Sequence, residues 1–397
     1  MELIMYHLVE VKTTKQKEAF LRLPALLYKI EEDINWISPL YSDTKNFFNT
    51  KKNPLLKEGQ VNRWLLYDVN KHLIGRIAAF YWERSTLTEE NPMGYFGFFE
   101  CTDDKKGAAL LFETVTKWLL LKGLKGMQGP FHLGGPGFFT GSLTRGFFEP
   151  VYGMPYNFSF YNDLFMDYGF RDVSKTETLL IKLDDSNNWK FIEKKVTNFY
   201  HDLRYRIETY DPKKREKFAE DFTTIFNKFW TGVPGMTLMT KERALNRFKF
   251  LRPVLVKETI IFVYFDDKPI AFFIAVPDIH QIIKKFKGTY NLFDRLRLWF
   301  AINVFKTIHC LSGLIYGIDP GFQNKDLEAL LFYSLKDQIK QNKLKYKMLK
   351  LIRVGDFAPG IKKVAQQLDG KVHHRYVTYQ LMFDKVEKKK AESVSVS

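Results

Sequence analysis

Apolar residues in the first half of the chain recur with two spacings, every second residue in some segments and every third or fourth in others. The first spacing is typical of β-strands and the second of amphipathic helices. Glycine, asparagine and proline separate the segments, as expected at turns. The predicted elements are, in order, a strand at 4–13, a helix at 15–30, a hairpin of strands at 63–69 and 72–82, an aromatic strand at 93–101, a helix at 105–122, a strand at 125–130, a helix at 157–168 and a strand at 175–183.

The second half of the chain shows a similar succession of strand-like and helical spacings of apolar residues. Its predicted elements are helices at 189–199 and 212–230, a hairpin of strands at 259–265 and 269–276, a helix ending at 305, a strand at 310–319, a helix at 325–341, a strand at 345–354, a helix at 360–368 and a closing strand at 375–383. The pattern predicts two domains of one kind, 1–185 and 186–384, and the length of 397 residues also favours two domains. The charged tail at 385–397 is predicted to be disordered.

In the first half, a glycine-rich stretch lies between the strand predicted at 125–130 and the helix predicted at 157–168. Residues 129–153 hold seven of the 24 glycines, interleaved with phenylalanine and tyrosine. Flexible linkers contain few aromatic residues, so this stretch is predicted to be a shaped loop that forms a groove wall, the alternative being a purely structural loop. The glycine spacing matches neither the dinucleotide-binding nor the Walker phosphate loop.

Charge is distributed unevenly along the chain. The first 185 residues carry 22 Lys and Arg against 23 Asp and Glu, whereas the rest of the chain accounts for all of the net charge of +16. Such asymmetry favours contact with an anion: a phosphorylated cofactor, an anionic membrane surface or nucleic acid. A lysine-rich surface that only aids solubility is the alternative. Nucleic-acid binding is the weaker interpretation, because the sequence has no recognised binding module.

Cysteine usage and hydropathy restrict the class of protein further. Cys101 and Cys310 are far apart and lack the spacing of metal ligands, which argues against a disulfide framework and a zinc site. The chain begins without an apolar segment of signal-peptide length, and its most apolar stretch, 298–318, contains Lys306 and His309. We therefore expect a cytoplasmic protein without metal, in peripheral contact with the inner membrane surface if its substrate is a lipid.

Several sequence segments resemble those of a bacterial family described as GNAT-related proteins, some of whose members are similar to ceramide synthases. They are GRIAAF at 75–80, GYFGFFEC at 94–101, GFFTGSLTRGF at 137–147 and MPYNFSFYNDLFMDYGF at 154–170. The resemblance implies an α/β fold of two GNAT-like domains in tandem, each a mostly antiparallel sheet flanked by helices. It also implies transfer of an acyl group from acyl-CoA or acyl carrier protein to an amine, for which a lipid amine is one candidate.

This resemblance directs attention to side chains that could move protons or line a groove. Glu100 is the candidate general base, because a carboxylate among phenylalanines has a raised pKa; the alternative is an ordinary hydrogen-bonded carboxylate. Tyr161 is the candidate acid that protonates the departing thiolate. His132, Tyr156 and Asn157 are predicted to line the acceptor groove, although aromatic residues at helical spacing are also typical of a core.

The donor site is predicted from a loop between a strand and a helix, whose backbone N–H groups hold pyrophosphate in GNAT proteins. In the first half, Asp103 and Asp104 occupy this loop and would repel phosphate. The second half is favoured, with Ile318, Gln323, Asn324 and Lys325 as the donor-binding residues, despite two acids at the start of the helix, Asp326 and Glu328. These acids leave a second hypothesis open, a catalytically degenerate relative that only binds.

Overall fold

The computed structural model describes residues 6–82, 90–133, 140–230, 238–323 and 325–384. The described strands are β1 (His7–Glu10), β2 (Gly59–Tyr67), β3 (Leu73–Trp82), β4 (Met93–Cys101), β5 (Gly126–Gly129), β6 (Ser142–Arg145), β7 (Arg171–Lys182), β8 (Tyr205–Thr209), β9 (Ile260–Phe265), β10 (Lys268–Pro277), β11 (Cys310–Ile318), β12 (Met348–Val354) and β13 (Lys371–Met382). The described α-helices are α1 (Thr14–Ile30), α2 (Tyr41–Phe47), α3 (Lys105–Leu120), α4 (Tyr161–Tyr168), α5 (Asn187–His201), α6 (Arg215–Trp230), α7 (Lys241–Leu251), α8 (His280–Ile283), α9 (Leu292–Asn303), α10 (Leu327–Gln341) and α11 (Pro359–Gln367).

The chain forms two compact units. The first comprises residues 1–176, 287–290 and 374–397, and the second comprises 177–286 and 291–373. The domains predicted from sequence were 1–185 and 186–384, so the units differ from them in the placement of β7 and β13. Most of β13 belongs to the first unit because it pairs with β5 in antiparallel fashion, a contact between residues far apart in the sequence.

The sheets of the two units follow the same plan. In the first unit the strand order is β1-β2-β3-β4-β5-β13, and in the second it is β8-β9-β10-β11-β12-β7. Neighbours are antiparallel except for one pair in each unit, β4 with β5 and β11 with β12. The fold class is therefore mixed α/β, with a mostly antiparallel sheet in each unit, as predicted.

Each sheet is covered on both faces, and the apolar pattern explains why. In β9, Ile261 and Val263 pack in one buried cluster of the second unit, whereas Phe262 and Tyr264 pack in another. The first unit likewise has two buried clusters. A strand buried on both faces is apolar at nearly every position, which is why these strands lack a simple alternation of polar and apolar residues.

Three local predictions need correction. The helix predicted at 157–168 begins only at Tyr161 in the structure, and it ends at Gly169 in the left-handed conformation, as expected for a terminating glycine. Helix α2 lies between the helix predicted at 15–30 and the hairpin predicted at 63–82, where no element was predicted. Helix α7 was missed, although the Thr240 side chain accepts a hydrogen bond from the Arg243 backbone N–H in the manner of an N-cap.

Within the described residues, no helix combines the length and the apolar character that are needed to cross a membrane.

Close backbone contact at Gly97 generates a stability prediction. A Cβ atom at position 97 would lie 1.5 Å from the carbonyl oxygen of Phe131, so Gly97→Ala forces the two backbones apart. We expect the free energy of unfolding to fall by about 1–3 kcal/mol, the usual cost of overpacking, measured as a lower urea midpoint. Gly321→Ala is the matched control, because its nearest new contact is an ordinary 3.5 Å. Equal midpoints for the two variants would contradict this close approach of the two backbones.

Candidate active site

A buried ion pair joins two neighbouring strands of the first unit. Arg76 in β3 lies directly opposite Glu100 in β4, and its Nη2 atom is 3.3 Å from Glu100 Oε1. The Tyr161 hydroxyl at the start of α4 donates to Glu100 Oε2 at 2.8 Å and accepts from the Cys101 backbone N–H at 3.0 Å. Arg76 also donates to the Phe20 carbonyl oxygen. The two residues predicted to be catalytic, Glu100 and Tyr161, are thus brought together by the fold.

A β-bulge sets the position of Glu100. Between the pairs Arg76 with Glu100 and Ala78 with Gly97, β4 holds one residue more than β3. Phe98 takes up this extra length with a φ of 51°, a conformation that costs free energy for a bulky residue. Bulges redirect side chains locally, and here the bulge comes immediately before the carboxylate.

The bulge lies where two parallel strands separate. The regular pairing of β4 with β5 ends at Tyr95 and Gln128, and the Phe131 N–H then donates to the Phe96 carbonyl oxygen at 2.8 Å. The ladder with β5 has therefore ended before Glu100. Beyond the last pair the chain after β5 stays close to β4, since the Phe131 carbonyl packs against Gly97, but regular parallel pairing does not resume.

Burial dominates the electrostatics of this cluster. Only 8% of Glu100 is exposed, and burial raises the pKa of its carboxyl above the ordinary value, an effect that Arg76 offsets only in part. Burial lowers the pKa of Arg76, and burial together with the nearby Glu100 raises the pKa of Tyr161 well above its ordinary value. Glu100 therefore has the raised pKa that was predicted. Its main cause is the removal of the carboxyl from water by burial.

Tyrosines from α1 and from the segment before α4 extend the cluster. The Tyr28 hydroxyl donates to the Tyr156 carbonyl oxygen at 3.3 Å, and the Tyr28 ring stacks on Trp36 and Phe158 at centroid distances of 4.8 and 4.2 Å. The half-buried Tyr156 hydroxyl donates to Asp33 at 2.9 Å. Tyr156 therefore holds a carboxylate of the loop after α1, next to the catalytic candidates.

The other two groove candidates have different environments. The His132 ring stacks on Phe98 at 4.0 Å with an angle of 5° between the planes, and burial lowers its pKa to about 3, with Arg76 acting in the same direction. His132 is therefore neutral at physiological pH. The Asn157 amide is occupied by the backbone, since it accepts from the Leu143 N–H at 2.6 Å and donates to the Phe158 carbonyl oxygen at 2.8 Å. Asn157 thus positions the chain before α4.

Arg76 and Tyr28 were not singled out from the sequence. Arg76 is the one charged residue in the apolar strand segment 73–82, and a buried charge in such a strand needs a partner. That signal predicts an ion pair, but it does not identify the residue opposite. Tyr28 has no signal of this kind, because an aromatic residue on a helix face usually belongs to a core.

Helix α3 follows β4 and helix α10 follows β11, the first strand of each parallel pair, and the two helices begin differently. At the start of α3, the Asp104 carboxylate accepts from the backbone N–H groups of Lys106 and Gly107 at 3.0 and 3.1 Å. At the start of α10, Asp326 has a φ of 59° and its carboxylate lies 2.6 Å from Lys195 Nζ, so it makes no cap. Of these two helices, α3 is the one whose first N–H groups are occupied by a carboxylate from the described part of the adjoining loop.

The predicted donor residues lie around the start of α10. Ile318 is fully buried and pairs with Ala271 at the end of β11. Gln323 and Lys325 are exposed, and Lys325 Nζ lies 4.7 Å from the centre of the Phe322 ring. Asn324 lies outside the described residues, as does the part of the glycine-rich stretch at 134–139.

The strand pair before α10 repeats the geometry of the first unit. The pairing of β11 with β12 ends at Gly313 and Leu351, and β11 has an extra residue, Leu314, relative to β10. Arg353 Nη2 donates to the Leu314 carbonyl oxygen at 3.3 Å. Both units therefore contain a parallel pair that separates next to a bulge. Among the described residues, no group of three or more His, Cys, Asp or Glu is placed to hold a metal ion.

Curated proteins of similar sequence span most of the chain. It is 22% identical over 338 residues to the bacterial ceramide synthase of Caulobacter vibrioides, which covers 83% of this chain and 84% of that protein. It is 23% identical over 374 residues to Protein YghO of Escherichia coli, which covers 91% of this chain and 92% of that protein. No family model matches the chain.

Solved structures decide the architecture. A tandem GNAT protein from the clavulanic acid biosynthesis pathway matches 95% of this chain and 98% of its own, with a TM-score of 0.54 at 9% identity. The chain has a tandem GNAT fold. The GCN5-related glucosamine N-acetyltransferase region of a fungal multi-domain β-N-acetylglucosaminidase also matches, with a TM-score of 0.56 at 10% identity over 96% of this chain, which spans 38% of that structure. The GNAT resemblance predicted from the sequence is thus confirmed at the level of the fold.

The buried cluster of the candidate active site also generates a stability prediction. Tyr161→Phe removes a hydroxyl that serves both Glu100 and the Cys101 N–H, and we expect the free energy of unfolding to fall by about 1–3 kcal/mol. Tyr168→Phe on the same helix is the control, since the Tyr168 hydroxyl lies beside the Thr116 hydroxyl and serves neither a carboxylate nor a backbone N–H of the described residues. Chemical denaturation of both variants tests this; an equal loss in both would show that the Tyr161 hydrogen bonds contribute nothing specific.

Proposed function

We propose that the protein is an N-acyltransferase that moves an acyl group from a thioester of CoA or acyl carrier protein to an amine. The observation that carries the proposal is the hydrogen bond between Tyr161 and Glu100 at the bulge where β4 leaves β5. The tandem GNAT fold supports the reaction class, because GNAT transfer needs a proton acceptor and an opened strand pair.

The proposed chemistry is direct transfer without a covalent enzyme intermediate. The amine nitrogen forms a bond to the thioester carbonyl carbon, and the bond from that carbon to sulfur breaks. Glu100 takes the proton that the nitrogen loses, and the departing thiolate takes the Tyr161 proton. The protonated Glu100 then restores the Tyr161 hydroxyl through the 2.8 Å hydrogen bond between them. Arg76 holds the carboxylate in place.

For an anionic ligand of the second unit by itself, such as the phosphates of CoA, we propose the start of α10. No described residue caps its first N–H groups with a side chain, and an uncapped helix N-terminus suits an anion, although the acid Glu328 lies in the first turn. Exposed Lys325 adds a positive charge beside it, while Lys195 neutralises Asp326. The start of α3 is the less suitable place, since Asp104 already occupies it.

For the acceptor we propose the amine of a lipid. The support is the similarity to a protein named bacterial ceramide synthase, together with the aromatic surroundings of Tyr156 and His132. A long-chain base is the first acceptor to test, with short water-soluble amines as comparison.

A second candidate function is binding without catalysis. Two observations favour it: Asp104 fills the start of α3, and both Glu100 oxygens are occupied by Arg76 and Tyr161. Such a protein would bind the thioester or the amine and release no thiol with any pairing of the two.

Removal of the proposed base tests the chemistry. With palmitoyl-CoA and a long-chain base, we expect Glu100→Gln to lower kcat about 100-fold to 10,000-fold with little change in donor affinity, measured as thiol release. The wild-type kcat/KM should fall as pH drops through the raised pKa of Glu100, because the protonated carboxyl cannot accept a proton. In Glu100→Gln this acidic limb should flatten.

Thermal stabilisation by palmitoyl-CoA is the control for folding of this variant. If Glu100→Gln binds the donor and retains full turnover, Glu100 is not the base and the chemistry belongs to other residues. Donor stabilisation without thiol release in the wild-type protein would favour the binding function.

Charge reversal at the start of α10 tests the donor site. We expect Lys325→Glu to weaken CoA binding about tenfold, since it replaces an attraction for phosphate with a repulsion. Lys106→Glu at the capped start of α3 is the matched control and should leave binding unchanged. Isothermal titration with CoA measures both. Greater loss in Lys106→Glu would move the donor phosphates to the first unit.

A further inference from the structure

Helix α9 in the second unit has an outer face made of large apolar side chains. Phe293 is 77% exposed, Trp299 is 50% exposed and Phe305, just beyond the helix, is 62% exposed. Other large apolar side chains exposed along this segment are Leu292, Leu296, Phe300 and Val304. Single exposed apolar residues are common, but seven within 14 residues, five of them on one helix and two just beyond it, mark an interaction surface.

The helix is anchored by a different set of side chains. Leu298, Ala301 and Ile302 are buried, so they hold the inner face of α9 against its unit. At its start, Asn291 and Asp294 form a reciprocal capping box, with hydrogen bonds of 3.1 and 3.0 Å. The exposed face is therefore presented by an ordered helix, and folding of the unit does not account for its apolar character.

Positive charge surrounds this face. Arg295 and Arg297 are exposed on the helix, with Lys284 and Lys285 before it and Lys306 after it. Asp294 is the one acidic residue between 280 and 309, and it is buried in the capping box. Aromatic and leucine side chains with flanking Lys and Arg, and no exposed acid, are typical of helices that lie in a membrane interface.

A cavity at the end of α9 adds to the positive surface. It has a volume of about 350 Å³ and is lined by three lysines, Lys257, Lys306 and Lys345, together with Asn303 and Asn342. One acid, Glu258, also lines it and lies 3.8 Å from Lys257 Nζ, so the lining keeps a net positive charge. Lysines and amides are suitable partners for phosphate oxygens. The cavity therefore suits the headgroup of an anionic lipid.

We propose that the exposed face of α9 docks onto an anionic lipid surface, with its aromatic side chains in the interface and its cations on the headgroups. Charge complementarity selects this occupant over a second copy of the chain, which would bring the same cations into contact with each other. This surface goes beyond the proposed function and does not depend on it, because binding to a vesicle requires no acyl transfer.

Co-sedimentation with vesicles tests the proposal. We expect the full chain to bind vesicles of phosphatidylcholine with 30% phosphatidylglycerol about tenfold or more tightly than phosphatidylcholine alone, and to lose this preference in high salt. Phe293→Ser with Trp299→Ser should reduce binding to anionic vesicles about tenfold or more, through lost apolar contact. Arg295→Glu with Arg297→Glu should remove the preference for the anionic lipid.

Leu203→Ser is the matched control, since Leu203 is 97% exposed and lies away from α9 in sequence. It should bind as the wild-type chain does. Vesicle binding that is absent in the wild-type chain, or equal in the α9 variants and the control, overturns the proposal. So does a dimer, seen by analytical ultracentrifugation, that the serine variants dissociate while vesicle binding stays unchanged, since the occupant is then a second copy.

Discussion

Parallel pairing of two strands within an otherwise antiparallel sheet is the constraint on which the rest of the structure depends. In each unit the parallel ladder is short, and it ends after Tyr95 with Gln128 and after Gly313 with Leu351. The following residues of the first strand then form a bulge toward their other neighbour. A short parallel ladder beside a bulge interrupts the regular hydrogen bonding in the middle of the sheet, and backbone groups there are free to pair outside the ladder.

The first unit places a charged pair beside this opening and withdraws it from water. The Coulomb attraction between Arg76 and Glu100 is opposed by the cost of removing both groups from water, and the pKa shifts show that this cost dominates. Hydrogen bonds from Tyr161 to Glu100 and from Arg76 to the Phe20 carbonyl reduce that cost. A carboxylate held in this way has fixed geometry and raised proton affinity, which are the properties required of a general base, but its two oxygens are already engaged.

The two units share a fold and differ in the helix that follows the opening. Asp104 caps α3 with its carboxylate, whereas Asp326 adopts a left-handed conformation and pairs with Lys195. Both residues are aspartates at the same place in their units, yet one fills the helix start and the other turns away from it. This difference makes the second unit the better candidate for an anionic donor. The basic surface around α9 is a separate feature of that unit, and it is the candidate for contact with lipid.

The sequence by itself determined most elements and their order, because helical and strand spacing are local properties of the chain. Through its resemblance to a known family it also predicted the GNAT fold, and it made Glu100 and Tyr161 candidates whose roles remain predictions. Only the tertiary structure decided that β13 pairs with β5, because strand pairing depends on residues far apart in the sequence. It also revealed Arg76 as the partner of Glu100 and showed that the Asn157 amide is bound to the backbone. Which side chains meet, and which lose water, depends on how the elements pack. The spacing of residues along the chain does not determine that packing.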